Sequence, residues 1–162
     1  TSILKKEIFD SVKVCVNIHT GLIQSYRGVD SNFWCIFENN LESIGVTIHK
    51  VNKGIDTGNI LLQSRVPLNT YDKYEDIFLR SCEVGVNVLS KNIKKILDNK
   101  IVPKPLKNRG KLFMIKDMND NARQKVNSSI QLTIQSYLDA KSTRDENIKL
   151  INGVEENGLY NK

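Results

Sequence analysis

Apolar residues recur along the chain at two spacings, and these divide it into alternating helices and strands. Residues 13–18 (KVCVNI) are rich in β-branched side chains and end at the polar turn His19-Thr20-Gly21, which predicts a strand. Residues 4–11 before it predict a short helix with Ser2 as its cap. A helix feeding an apolar strand is the back half of a βα unit, so the strand is expected to be parallel in its sheet. A loop follows over residues 20–30. Asp30 or Ser31 could then cap a helix reaching about Asn39, with Phe33, Trp34, Ile36 and Phe37 as its apolar positions.

Residues 45–51 (GVTIHKV) alternate, with Val46, Ile48 and Lys50 on one side and Thr47, His49 and Val51 on the other. Residues 59–66 (NILLQSRV) form a second run of strand type, and the glycines of the connection NKGIDTG predict a wide hairpin. From Asp72 to about Asn99, helical spacing returns at Ile77, Val84, Val88, Ile93 and Ile96, until Pro103 and Pro105 end it. A short strand KLFMI at 111–115 precedes a helical region over 119–140, with a break or kink expected near 127–129. The polar residues from about 142 read as a tail.

At 162 residues and 40% hydrophobic, the chain can bury one core. It has no apolar run long enough to span a bilayer, so no membrane partner is expected. Cys15, Cys35 and Cys82 are odd in number and far apart, which makes neither a disulfide framework nor a metal-ligand set. A reducing, cytoplasmic setting is the expectation. Charge changes the picture more. Residues 91–116 hold nine Lys or Arg against Asp98 alone, a local +8 within a net +6. Such a segment is either a solvated surface or a field for a phosphate-bearing partner.

The chemistry must be found among few residues. His49 lies inside a strand and reads as a packed or surface residue. His19 falls at the carboxyl end of its strand, where open α/β sheets bind ligands. Asn17, two residues earlier, shares its face. An amide donor beside an imidazole suits a carbonyl oxygen that gains negative charge. Asp56, in the glycine-flanked turn Gly54-Ile55-Asp56-Thr57-Gly58, could raise the imidazole pKa and assist proton transfer. It could equally be a turn residue making an Asx hydrogen bond.

Four ordered blocks carry a resemblance: Asn17-Ile18-His19, Tyr26-Arg27-Gly28, Gly45-Val46-Thr47-Ile48-His49, and Asp56-Thr57-Gly58 with Ile60. Together they resemble the folate-dependent formyltransferase family over about residues 1–100. The resemblance implies an α/β, Rossmann-like formyltransferase fold. Several βα units that open the family's catalytic domain have no counterpart here, so the fold is expected to be truncated at the amino end. Residues 1–107 would be the partial catalytic domain, and 108–162 a short helical carboxyl-terminal extension that could serve dimerisation. The resemblance further implies transfer of a formyl group from 10-formyltetrahydrofolate to the amine of an acceptor, which could bear phosphate, as tRNA or a sugar nucleotide does. Two alternatives stand beside it: a formyltetrahydrofolate hydrolase, using the same residues with water as nucleophile, and a non-catalytic truncated remnant. Asn17, His19 and Asp56 would be catalytic: Asn17 and protonated His19 on the oxyanion, Asp56 orienting His19 and helping remove the amine proton. Thr20, Gly21, Leu22, Ile23, Arg27, Gly28, Ile55, Thr57 and Gly58 would line the folate site, with Leu22 and Ile23 on the pteridine. Many members carry Leu-Leu-Pro where this chain has Leu22-Ile23-Gln24.

Overall fold

The structure, a computed structural model, describes residues 7, 8 and 11–155. Its centre is a three-stranded sheet in the order β1 (Val16–His19), β3 (Gly45–Lys50), β4 (Ile60–Arg65). Both pairings are antiparallel, with Ile18 opposite Ile48 and Ile48 opposite Leu62. The parallel partner expected for β1 is not present among the described residues. Its one paired edge belongs to β3, because the hairpin returns the chain beside it. Of the helix expected over 4–11, Glu7 and Ile8 are helical; residues 1–6, Ser2 among them, and residues 9 and 10 lie outside the described residues.

Alternation along the strands divides the sheet into two faces. Ile18 and Val46 meet the long helix α2 (Tyr74–Leu97), where Gly85 lets the backbone approach so closely that a Cβ would sit 2.5 Å from Ile18 Cγ2. Asn17, His19, Thr47, His49 and Gln63 occupy the opposite face. β3 is buried on both faces from Gly45 to His49, which explains why its alternation alone does not mark an exposed side.

The helix ends follow local chemistry. Helix α1 (Ser31–Phe37) begins after Asp30, which takes a left-handed conformation and makes no side-chain cap. It ends at Asn39, also left-handed, with Asn40 N donating to Cys35 O and Asn39 N to Ile36 O. Helix α2 closes the same way: Asn99 is left-handed and Lys100 N donates to Lys95 O at 2.8 Å. Asparagine tolerates this conformation better than most residues, so both helices stop where their orphan carbonyls find donors.

Sequence reading did not anticipate β2 (Tyr26–Gly28), which pairs in parallel with β6 (Lys111–Phe113). Three residues leave no periodic signal, and the pairing is tertiary. It carries Phe113 into the core, stacked on Trp34 at 4.1 Å between ring centroids. Helix α3 (Asp120–Asp139) is capped by Asn119, whose side chain accepts from Ala122 N. The break expected near 127–129 does not occur. Ser128 and Ser129 return their hydroxyls to Lys125 O, which satisfies both within the helix. Val126, Ile130, Ile134 and Tyr137 then form one buried stripe in the same core cluster as Trp34, Leu41 and Val66.

Residues 141–155 are attached along β4. Helix α4 (Lys141–Glu146) is held by Arg144, which donates to Glu42 Oε2, and by Arg65, which donates to Asp145 O and Ile148 O. Gly153 N donates to Leu61 O, and a two-residue pairing joins β5 (Ile101–Val102) to β7 (Val154–Glu155). Among the described residues no helix is long and apolar enough to cross a membrane. The three cysteines are free, and burial pushes the Cys35 thiol well up.

Candidate active site

Four segments converge on one carboxylate. Asn17 and His19 project from β1 to one face, as their spacing requires, and His49 joins them from β3, directly opposite Asn17. The turn between β3 and β4 brings in Asp56 with φ 49°, a conformation that Asp tolerates. Asp56 Oδ2 accepts the Gly28 N–H at 2.9 Å and lies 3.3 Å from His19 Nδ1. Asp56 Oδ1 lies 3.4 Å from Asn17 Nδ2 and 3.5 Å from His49 Nε2. The three residues singled out by sequence are therefore assembled around Asp56.

The turn is held from both ends. Thr57 Oγ1 and Gly54 N both donate to Asn52 Oδ1, and Arg27 donates from Nη1 to Ile55 O and from Nε to Gly110 O. Arg27 thus fixes the Asp56 turn to the segment leading into β6. Gly58 lies against Lys50 O, and the Ile55 side chain is half-buried at the turn. Thr20 is half-buried next to His19. At Gly21 a Cβ would stand 2.5 Å from Ser31 Cβ and 2.9 Å from His19 Nε2, so only glycine lets the loop pass behind the imidazole. Leu22 and Ile23 are wholly buried, Leu22 under Gly45, so their side chains act as the loop's anchor within the protein.

These positions can be set beside known proteins. The formyl transferase family model matches residues 1–93. The chain belongs to the formyl transferase family. A methionyl-tRNA formyltransferase of Thermodesulfovibrio yellowstonii is 36% identical over 104 residues, covering 64% of this chain and 33% of that protein. The corresponding Trichormus variabilis enzyme is 32% identical over 107 residues, covering 65% and 32%. The chain thus spans about a third of the length of these curated relatives. Among solved structures, the N-formyltransferase from Helicobacter canadensis, in complex with folinic acid and dTDP-3-aminofucose, superposes with a TM-score of 0.60 at 33% identity, over 65% of this chain and 39% of that one. A formyltransferase from Anoxybacillus kamchatkensis, in complex with a UDP-linked formamido sugar and tetrahydrofolate, gives 0.66 at 25% identity, over 78% and 71%. The Rossmann-like formyltransferase fold read from the sequence is the one these neighbours share.

Electrostatics corrects one sequence expectation about these residues. Asp56 does favour protonated His19, but burial outweighs it and lowers the imidazole pKa. At 6% exposure, His19 has little water to solvate a charge. For Asp56, burial alone would push the carboxyl up. The hydrogen bond to His49, the His19 charge and the Gly28 N–H together outweigh it and hold the group below the usual carboxylate range. Near neutral pH the site therefore holds an ionised Asp56 beside a neutral His19. Both His19 nitrogens face acceptors, Asp56 Oδ2 and Tyr26 O.

A pH dependence of stability follows. The folded pKa of His19 lies below its unfolded value near 6.5, so below about pH 6.5 the unfolded chain binds a proton that the folded chain refuses. Stability falls as pH drops through that window. Chemical denaturation at pH 7 and pH 5 should show a smaller loss in His19→Gln than in the wild type. Equal losses would show that His19 carries no such penalty.

His49 is the residue that sequence reading missed. Its Nδ1 lies 2.9 Å from Lys50 O, and its Nε2 faces both Asn17 Nδ2 at 3.3 Å and Asp56 Oδ1 at 3.5 Å. The available signal was register. Once β1 and β3 pair, His49 stands opposite Asn17.

Proposed function

We propose that this chain carries the centre of a folate-dependent formyltransferase, which moves a formyl group from 10-formyltetrahydrofolate to a primary amine. The observation that carries the reading is the single carboxylate of Asp56, fixed by the Gly28 N–H and placed between His19 and Asn17. An amide donor, an imidazole and an ionised carboxylate on one face fit a formyl group, whose oxygen gains charge when an amine adds. The bound folate supplies the formyl carbon.

Asn17 is exposed and its two Nδ2 contacts are long, so an N–H can turn toward the formyl oxygen. Asp56 draws the proton of the attacking amine, with His19 receiving it between Asp56 and Tyr26 O. The proton then leaves with the folate nitrogen as its bond to the formyl carbon breaks. The folate-bearing neighbours support this assignment of co-substrate.

For the acceptor, the basic segment supports a phosphate-bearing molecule. Lys107, Arg109 and Lys116 are exposed and have no acidic partner among the described residues, whereas Lys111 is paired with Glu38. The bond from Arg27 to Gly110 O ties this run to the site. Relatives acting on tRNA and neighbours bound to nucleotide sugars are both consistent with it.

The test is formyl transfer by the purified chain with candidate amines, alongside calorimetry with 5-formyltetrahydrofolate. Asn17→Ala and His19→Ala should each lose on the order of 10² to 10³ in rate with circular dichroism unchanged. A His19→Ala variant with full turnover would sink the mechanism.

A further inference from the structure

A polar row crosses all three strands on the site face. His19 on β1 stands opposite Thr47 on β3, and Thr47 opposite Gln63 on β4. Beyond Gln63, where the row would otherwise end, lie residues 149–153. Every polar atom of the Gln63 amide has a partner. Its Nε2 donates to Thr47 Oγ1 at 2.9 Å and to Gln24 Oε1 at 2.7 Å. Its Oε1 accepts Ile151 N at 2.8 Å and Gln24 Nε2 at 3.2 Å.

The orientation of this amide is forced. Ile151 N can only donate, so Oε1 must face it. The Thr47 hydroxyl gives its hydrogen to Gly21 O at 2.7 Å, so it must accept from Nε2. The backbone of Gln63 is held as well, its N–H donating to Asn152 Oδ1 at 2.7 Å, while Lys149 O accepts from Gln24 Nε2.

The side-chain bonds therefore run in one direction through the fold, from Ile151 N to Gln63, to Thr47, to Gly21, while Asn152 Oδ1 accepts from the Gln63 backbone. Gly21 N in turn donates to His19 O at 3.0 Å, and Gly21 is the residue packed behind the imidazole. Gln63 and Thr47 are 5% and 0% exposed, so a lost partner there leaves a buried polar group without water to replace it.

We infer that Gln63 is a positioning residue of this site, and that residues 149–153 complete the site from behind. Their bonds to Gln63 hold the loop from Gly21 to Gln24 in the conformation that seats the folate next to His19. This rests on the formyl-transfer reading for its ligand, though not for its network. It also gives a site role to a segment well outside residues 1–93, where the family match lies.

The experiment compares Gln63→Met, Thr47→Val, their double variant, Thr47→Ser and Asn152→Ala in the full chain. Two readouts are taken: affinity for 5-formyltetrahydrofolate, and amide hydrogen exchange over residues 21–25 without ligand. Gln63→Met and Thr47→Val should each weaken binding about tenfold, the size expected for one orphaned buried group. The double variant should also lose about tenfold, because both break one chain of bonds. Thr47→Ser should bind as the wild type. Exchange over 21–25 should rise in the two single variants while that of α3 holds. Asn152 is exposed, so Asn152→Ala should fold and show the same loop signature more weakly, which keeps the idea testable if Gln63→Met does not fold.

A hundredfold loss in the double variant would overturn the inference. So would unchanged loop exchange in folded Gln63→Met and Asn152→Ala. If the wild type itself binds no folate, the functional reading fails instead, and loop exchange alone decides the network.

Discussion

Gly28→Ala should unfold at a temperature about 10 °C below the wild type and lose folate binding with it. Gly28 sits at φ 87°, in the left-handed region that L side chains rarely adopt. Forcing a Cβ there costs on the order of 1–2 kcal/mol. The added methyl would also stand 2.0 Å from Phe113 O, a backbone atom of β6 that can retreat only by breaking the parallel pairing with β2. Overpacking of this kind costs about 1–3 kcal/mol more. A total near 3 kcal/mol is a large share of the roughly 5–15 kcal/mol that holds a domain together, and corresponds to about 10 °C at this size. The second effect is chemical. Gly28 N is the donor that fixes Asp56 Oδ2, so displacing it frees the carboxylate on which the site is centred. Differential scanning calorimetry and folate titration together check both. A variant that keeps its melting temperature and its affinity would show that β2 and β6 are not locked as described.

How much of this could be read from sequence differs from residue to residue. The pair Asn17 and His19 was legible because strand periodicity alone puts them on one face. The Asp56 turn was legible as a hairpin connection, since two glycines punctuate it. What periodicity cannot give is pairing. The place of His49 depends on its register against Asn17, and a histidine in an apolar strand reads the same whether its neighbour is apolar or polar. The attachment of residues 141–155 was hidden for a similar reason. Their composition is polar, and what holds them is side chains of Arg65 and Gln63 reaching backbone groups some eighty to ninety positions away. His19 shows the limit of pairwise charge arguments: the neighbour that raises its pKa was visible in the sequence, while the burial that outweighs it belongs to the fold.

Asp56→Asn should cut formyl transfer by orders of magnitude while leaving the fold nearly as stable as the wild type, which separates charge from geometry at the centre of the site. Asparagine is close in shape, tolerates the left-handed backbone at this position, and keeps an oxygen to accept from Gly28 N. Alanine would not discriminate, because it would strain the turn and leave that N–H unpaired. The amide cannot take the amine proton, and it withdraws the charge that favours protonated His19, so the imidazole pKa should fall further. Loss of a positioned acid–base group costs about 10² to 10⁴ in rate, and a fall of that order is expected. Folate affinity should drop far less, since Asn17 and the loop around Gly21 remain in place. Stability gives a further check, because the lowered pKa of Asp56 means its ionised form favours the folded state. That contribution is present above the unfolded value near 3.8 and lost as pH falls from there through the lower folded value. Asp56→Asn should therefore resist acid unfolding below pH 4 better than the wild type does, relative to each protein's own stability at pH 7. Turnover equal to the wild type in this variant would remove the carboxylate from the mechanism and leave Asn17 and His19 to account for it.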